Sequence, residues 1–236
     1  MPIINRISKI LAILIVYIIC AYGYLTAKGF VFEDGVPVLS NQALAKEEFS
    51  VKVNGDLMLT NEMMRFKGDD KAPITMYIFS SMMCSHCSDF HRFILPKIEK
   101  NFVEKGKVKY VFLHFPLDVL SMQIAKMSYC MPENNYYSFI EELYGKKDWR
   151  FAKDDNVLLK YAKQYGLNDG TISACKDNKK LTSSILQVRD NAISKLNIKG
   201  TPSFVIETKN GKELIAGSKK YGDFEEYFNN KLKEIK

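Results

Sequence analysis

The chain has 236 residues, 47% of them hydrophobic and only one of them Trp, which suits a globular domain of ordinary core size, or one carrying an insertion, and excludes a disordered tail. Its formal charge of +7 comes mainly from Lys scattered along the chain. Arg occurs only at Arg6, Arg65, Arg92, Arg150 and Arg189, so a bidentate phosphate-reading surface lacks material and nucleic acid is not an expected partner.

At the N-terminus, Arg6 and Lys9 precede an apolar run from Ile10 to Leu25, and polarity returns at Thr26. Residues 1–27 therefore have the pattern of an export signal or a membrane anchor, and the run is short enough for a bilayer span that length alone does not separate the two. Gly23 and Ala27 are candidate cleavage points, whereas Ala43-Leu44-Ala45 lies too far downstream. Cys20 does not fit a lipidation signal, because the stretch before it, Tyr17-Ile18-Ile19, is bulky where Gly or Ala is needed. Either destiny implies export to a periplasmic, oxidising compartment in which disulfides persist. Setting Cys20 aside leaves Cys84, Cys87, Cys130 and Cys175. The close spacing of Cys84 and Cys87 selects one of the three pairings and leaves Cys130 for Cys175.

Residues 28–65 read as a linker or N-terminal extension in which Gly35, Pro37 and Gly55 interrupt two short alternating stretches, 49–53 and 57–59, a weak hairpin or an added edge strand. Ile74 to Ser80 is a continuous apolar strand of the kind buried on both faces. Phe90, Ile94, Ile98 and Phe102 then recur every four residues, one face of a helix reaching about Lys105, with Pro96 expected to kink it. Lys107 to Phe115 is a second strand, so strand, helix and strand form a right-handed parallel unit within 66–116. From 117 to 196 no strand pattern occurs; periodic apolar residues broken at Pro132, Gly145 and Gly166 indicate several helices, an inserted α-helical region. In 197–236, Ser203–Ile206 and Leu214–Ala216 flank Lys209-Asn210-Gly211-Lys212 as a hairpin, and an amphipathic helix carrying Phe224, Tyr227, Phe228, Leu232 and Ile235 follows.

The chemistry concentrates in Cys84-Ser85-His86-Cys87, directly after the buried strand and at the start of the helix. There, free backbone N–H groups and the positive helix end stabilise a thiolate at Cys84, while Cys87, one turn on, is shielded and resolves a mixed disulfide. His86 adds a donor and a charge that lower the Cys84 pKa further, and Ser85 completes the tuning pair. A stabilised thiolate makes the oxidised form a strong oxidant. A plain structural bridge does not need His inside the ring. A zinc site built from Cys84, Cys87 and His91, with His86 nearby, lacks a second clustered ligand pair, so no metal is expected, and no cofactor beyond the redox-active pair. His91 reads as a packing or surface residue and His114 as a satisfied side chain near a strand end; neither is given a role. A second signal is the Thr201-Pro202 step inside Gly200-Thr201-Pro202-Ser203-Phe204, where a cis bond would present the Thr201 backbone to the active sulfur.

Together with Lys71-Ala72-Pro73-Ile74-Thr75, Phe90-His91, Leu95-Pro96-Lys97, Gly106-Lys107-Val108, Phe115-Pro116-Leu117-Asp118 and Ala174-Cys175, these motifs resemble the DsbA family of oxidoreductases, most closely its alpha-proteobacterial branch, from about residue 66 onward. The resemblance implies an α/β thioredoxin-like fold with an inserted α-helical domain: a first half at 66–116, the insertion at 117–196 and a second half at 197–236. It also implies Cys84 as nucleophile, Cys87 as resolving thiol, Pro202 as a cis proline beside them, and a Cys130–Cys175 disulfide within the helical region. Closing a loop across those 45 positions restricts the unfolded chain by about 4 kcal/mol. This chain departs from the family in having Ser85 where Pro is usual and Ile78 where a buried acid that assists the resolving thiol is usual. Thr201 before the proline also occurs in isomerases resembling DsbC. The expected activity is oxidation of reduced or unfolded exported proteins, with reoxidation by a DsbB-like membrane partner. An isomerase or reductase is the neighbouring alternative, and a holdase that ignores the cysteines belongs to a different class.

Overall fold

Ile74 to Ser80 is largely apolar, with only Thr75 part-exposed, and it becomes the central strand β5 (Ile74–Ser80), with Ile74, Met76, Ile78 and Phe79 fully buried. In the computed structural model, which describes residues 2–28, 30–33, 36–39, 49–152 and 154–235, the chain divides into two units at Phe49–Ser50.

The first unit holds helix α1 (Pro2–Ala27) and a two-stranded antiparallel hairpin, β1 (Phe30–Glu33) and β2 (Val36–Leu39). Tyr22 stacks on Phe32 with ring centroids 4.8 Å apart. The run expected to be a signal or anchor is thus helical; its side chains are described from Ile13, and Ile13 to Ile19 are all exposed. Among the described residues no helix is long and apolar enough to cross a membrane. Ala43-Leu44-Ala45 lies outside the described residues.

The second unit is a six-stranded sheet in the order β3-β8-β7-β5-β6-β4. Its strands are β3 (Val51–Val53), β4 (Phe66–Lys67), β5, β6 (Val108–His114), β7 (Ser203–Thr208) and β8 (Gly211–Ala216). Strands β5 and β6 run parallel, Ile74 opposite Val108 and Ser80 opposite His114, as the strand–helix–strand order requires. β7 adds antiparallel to β5, with Ile78 opposite Phe204, and turns back into β8 through the two residues Lys209 and Asn210. Gly211 closes that turn at φ +116°, a conformation a Cβ would strain.

Two expectations need correction in detail. Of the alternating stretches at 49–53 and 57–59, the first supplies β3, paired with β8, but the second is not a strand. There the Asp56 carboxylate accepts the Met58 N–H at 3.0 Å, Met58 takes φ +53°, and Leu57 turns into the core at 5% exposure. The helix after the cysteines, α2 (residues 85–103), does not keep its four-residue stripe. Two wide π turns, Phe90–Ile94 and Glu99–Val103, flank the α-helical Leu95–Ile98 that contains Pro96, which has no N–H to give. Each wide turn shifts the phase, so the buried set is Phe90, Leu95, Ile98, Phe102 and Val103, with Ile94 only half-buried.

Between β6 and β7 the chain forms α3 (Val119–Cys130), α4 (Glu133–Gly145), α5 (Asn156–Gln164), α6 (Asp169–Asp177) and α7 (Lys179–Leu196), the expected helical insertion. Asp118 and Asn168 cap α3 and α6 in reciprocal capping boxes. Helix α8 (Tyr221–Glu234) returns to the sheet. Phe204 of β7 meets Phe90 at 4.6 Å and Phe224 at 5.0 Å, which joins α2 and α8 over one face. Tyr77, Phe79, Val205 and Leu214 join a continuous apolar cluster with Tyr136, Phe139, Tyr144, Ile185 and Leu196 of the insertion.

Candidate active site

Cys84 is the residue on which the strand-to-helix turn pivots. It has extended dihedrals (φ −82°, ψ 125°) at the N-cap of α2, its N–H bonds back to the Ser81 carbonyl at 3.1 Å, and its carbonyl accepts the Ser88 N–H at 3.1 Å. The sulfur is therefore held over the unpaired N–H groups of the first turn. Cys84 is half-buried and Cys87 fully buried, and both are free thiols. The Cys84 thiol donates to the Thr201 carbonyl at 3.3 Å. Thr201-Pro202 is a cis peptide bond, and Pro202 is buried at the entrance to β7.

These neighbours drive the two sulfurs apart electrostatically. A hydrogen bond from Cys87, then donation from the Thr201 side chain and the backbone N–H groups of Cys87 and His86, outweigh the cost of burial and bring the Cys84 pKa from 9.0 down to about 5. Burial, followed by the bond to Cys84, pushes the Cys87 thiol up. Cys84 is thus the thiolate and Cys87 the protonated partner. Of the expected tuning pair, Ser85 and His86 are both exposed, and His86 supplies a donor to Cys84 through its backbone N–H.

The other cysteines meet in the helical insertion, where Cys130 at the end of α3 and Cys175 in α6 form a disulfide with Cα atoms 6.4 Å apart. Of the two histidines to which the sequence assigns no role, His114 lies in the core and His91 is half-buried at its edge. His91 stacks on Tyr144 with centroids 4.2 Å apart and planes 7° from parallel, and its Nε2 is 3.3 Å from Ser80 Oγ. His114 is buried against Phe112 and Tyr129, and its Nε2 has no hydrogen-bond partner among the described residues, so it is not the satisfied side chain expected at a strand end. Burial holds both imidazoles down to about 3.

Sequence reasoning missed three residues around the sulfurs. Ser80 Oγ bonds Tyr144 Oη at 3.0 Å and is placed to stabilise the Cys87 thiolate, and the Tyr144 hydroxyl donates to the Ser81 carbonyl at 3.2 Å. The Arg150 guanidinium donates to the Met82 carbonyl, two residues before Cys84. The available signal was Ser80, a small polar residue at the buried end of a largely apolar strand.

A thiolate at a helix start, a buried resolving thiol one turn on, and a backbone carbonyl over the first sulfur define a thiol–disulfide oxidoreductase. A family model described as thioredoxin matches residues 60–229. The chain belongs to that family, as a DsbA-like protein-disulfide oxidoreductase with a helical insertion in the thioredoxin-like sheet. It is similar to the crystal structure of Wolbachia pipientis alpha-DsbA1, at 31% identity and a TM-score of 0.63 over 70% of this chain and 89% of that one. It is also similar to a probable disulfide bond formation protein D of Bacillus anthracis, 24% identical over 77% of this chain and 87% of that protein. The oxidised BdbD of Bacillus subtilis shares the fold, with a TM-score of 0.64 and 24% identity over 77% of this chain and 98% of that one.

Proposed function

We propose that this oxidoreductase works as an oxidase, introducing disulfides into reduced, exported proteins. The observation that carries the reading is the depressed pKa of Cys84, about 5, at the start of α2. An enzyme whose reduced form is stabilised as a thiolate gives its disulfide away readily. A substrate thiolate attacks Cys84 Sγ of the oxidised pair; the Cys84–Cys87 bond breaks, and Cys87 leaves and is protonated. A second substrate thiolate attacks the substrate sulfur of the mixed disulfide and releases Cys84 as thiolate. The substrate has lost two electrons and the enzyme holds them as two thiols, so a membrane-borne, DsbB-like oxidant must take them up.

The surroundings suit an unfolded polypeptide. Phe151, 84% exposed, adjoins Arg150, which grips the loop before Cys84. The apolar N-terminal run supports export to the periplasm, with α1 removed as a signal or kept as an anchor. The name disulfide bond formation protein carried by the Bacillus relative points the same way.

The test is oxidative refolding. The oxidised full-length chain is mixed with a reduced, unfolded substrate protein, and disulfides formed are counted against enzyme reduced. One substrate disulfide should appear per enzyme disulfide lost, and Cys84→Ser should abolish it. Activity confined to the reduced enzyme on scrambled substrate would make the chain an isomerase. Suppression of aggregation that survives Cys84→Ser, without oxidation, would make it a holdase.

A further inference from the structure

The exchange cycle leaves one proton unaccounted for. When Cys87 is expelled from the disulfide it is a thiolate at a buried position, where charge is disfavoured, and its neighbour on the central strand, Ile78, is fully buried and has no proton to give. Ser80 lies two residues on along β5 and so shares the face of Ile78, nearer the cysteines. Its hydroxyl is placed to stabilise the Cys87 thiolate and lies 3.0 Å from Tyr144 Oη and 3.3 Å from His91 Nε2. Behind that trio, a cleft of about 340 Å³ between α2 and α4 is lined by His91 and Tyr144 and by the charged side chains Arg92, Glu99 and Glu141. The network therefore has the buried sulfur at one end and solvent at the other.

We propose that Ser80, with His91 and Tyr144 behind it, is the route by which a proton reaches and leaves Cys87, a relay built from neutral groups. As the substrate sulfur bonds to Cys84 Sγ and the Cys84–Cys87 bond breaks, the electron pair of that bond goes to Cys87 Sγ. Ser80 gives its hydroxyl proton to that sulfur and takes one from His91 Nε2 or from Tyr144. The lost proton is replaced from water in the cleft. One solvent proton is consumed for each Cys87 thiol formed, and reoxidation runs the same chain backwards. An imidazole that stays neutral suits this task, because it has one nitrogen that donates and one that accepts and passes a proton without storing charge. The groups facing the ring are the Ser80 hydroxyl on β5, Tyr144 on α4 and, through the electrostatic field, His114 on β6. Ser80 acts on the reacting sulfur and is the catalytic member; His91 and Tyr144 act through it.

The relay rests on the exchange chemistry proposed above but not on its direction, so the test uses glutathione as the small thiol. Single-turnover reduction of the oxidised full-length chain, and its reoxidation by oxidised glutathione, are followed across pH in H2O and in D2O. Ser80→Ala should slow formation of the Cys87 thiol by about 10²-fold, the low end for proton transfer by a placed group, and remove the solvent isotope effect of the parent. Ser80→Thr, which keeps the hydroxyl, should restore most of the rate. His91→Phe, which keeps a ring against Tyr144, and Tyr144→Phe should each flatten the pH profile, and they cover the case in which Ser80→Ala disturbs packing. Rates within about twofold of the parent and an unchanged isotope effect in Ser80→Ala and His91→Phe alike would overturn the relay. A parent chain that exchanges with glutathione yet fails to oxidise substrate proteins would instead overturn the oxidase and leave the relay standing.

Discussion

The two cysteine pairs lie in two regions that treat the same element in opposite ways. Cys84 and Cys87 sit three positions apart at the start of α2, where the backbone N–H groups of the helix start, the hydrogen bond between the sulfurs and the deeper burial of Cys87 differentiate one sulfur from the other. Cys130 and Cys175 sit 45 positions apart on two helices of the insertion and are joined. Among the described residues, what separates the pairs is the backbone around them: the first pair faces unpaired N–H groups, and the second closes a loop between helices α3 and α6. Reactivity is a property of the strand–helix junction, and crosslinking a property of the loop length.

Removing the second pair gives the largest energetic effect expected. Cys130→Ala/Cys175→Ala opens a loop of 45 positions and should lower stability by about 4 kcal/mol in chemical denaturation, while exchange with glutathione continues. A variant that melts like the parent would mean the bridge is not formed or not constraining. A smaller effect is expected at the first pair. Thr201→Val keeps the shape and the backbone carbonyl of residue 201 but removes a side-chain donor to Cys84. The thiolate midpoint should rise by about one unit, equivalent to about 1.4 kcal/mol, with little change in the stability of the oxidised protein. An unmoved midpoint would assign the whole effect to the helix start and Cys87.

Much of this was legible in the sequence because it depends on local pattern. The unbroken apolar run Ile74–Ser80 and the Asn-Gly step at 210–211 mark a central strand and a hairpin on their own. The four-residue stripe through Phe90 also identified a helix, but periodicity presumes 3.6 residues per turn and cannot register π turns around Pro96. β4, only Phe66 and Lys67, is too short to show alternation and exists because β6 offers it an edge. At the site, Cys84, Cys87 and the Thr201-Pro202 step were visible as motifs. The Ser80–His91–Tyr144 cluster was not, since Tyr144 is 64 positions from Ser80 and reaches it only through the packing of the insertion on the sheet. His86 contributes in a way a motif does not specify: the residue is exposed, and its backbone N–H is a donor to the Cys84 sulfur.

The pH dependence follows from the same asymmetry. A folded-state pKa held below the unfolded one stabilises the reduced form fully above the unfolded value of about 9, and that stabilisation is lost as pH falls through about 5. The melting temperature of the reduced chain relative to the oxidised chain should therefore rise between those limits. The most direct measurement is the thiolate absorbance of the reduced full-length chain titrated with pH, in a Cys20→Ser background so that only the working pair reports. A midpoint near 5 assigned to Cys84 is the result predicted; a midpoint near 9, that of an ordinary thiol, would contradict the claim that this junction makes an oxidising disulfide.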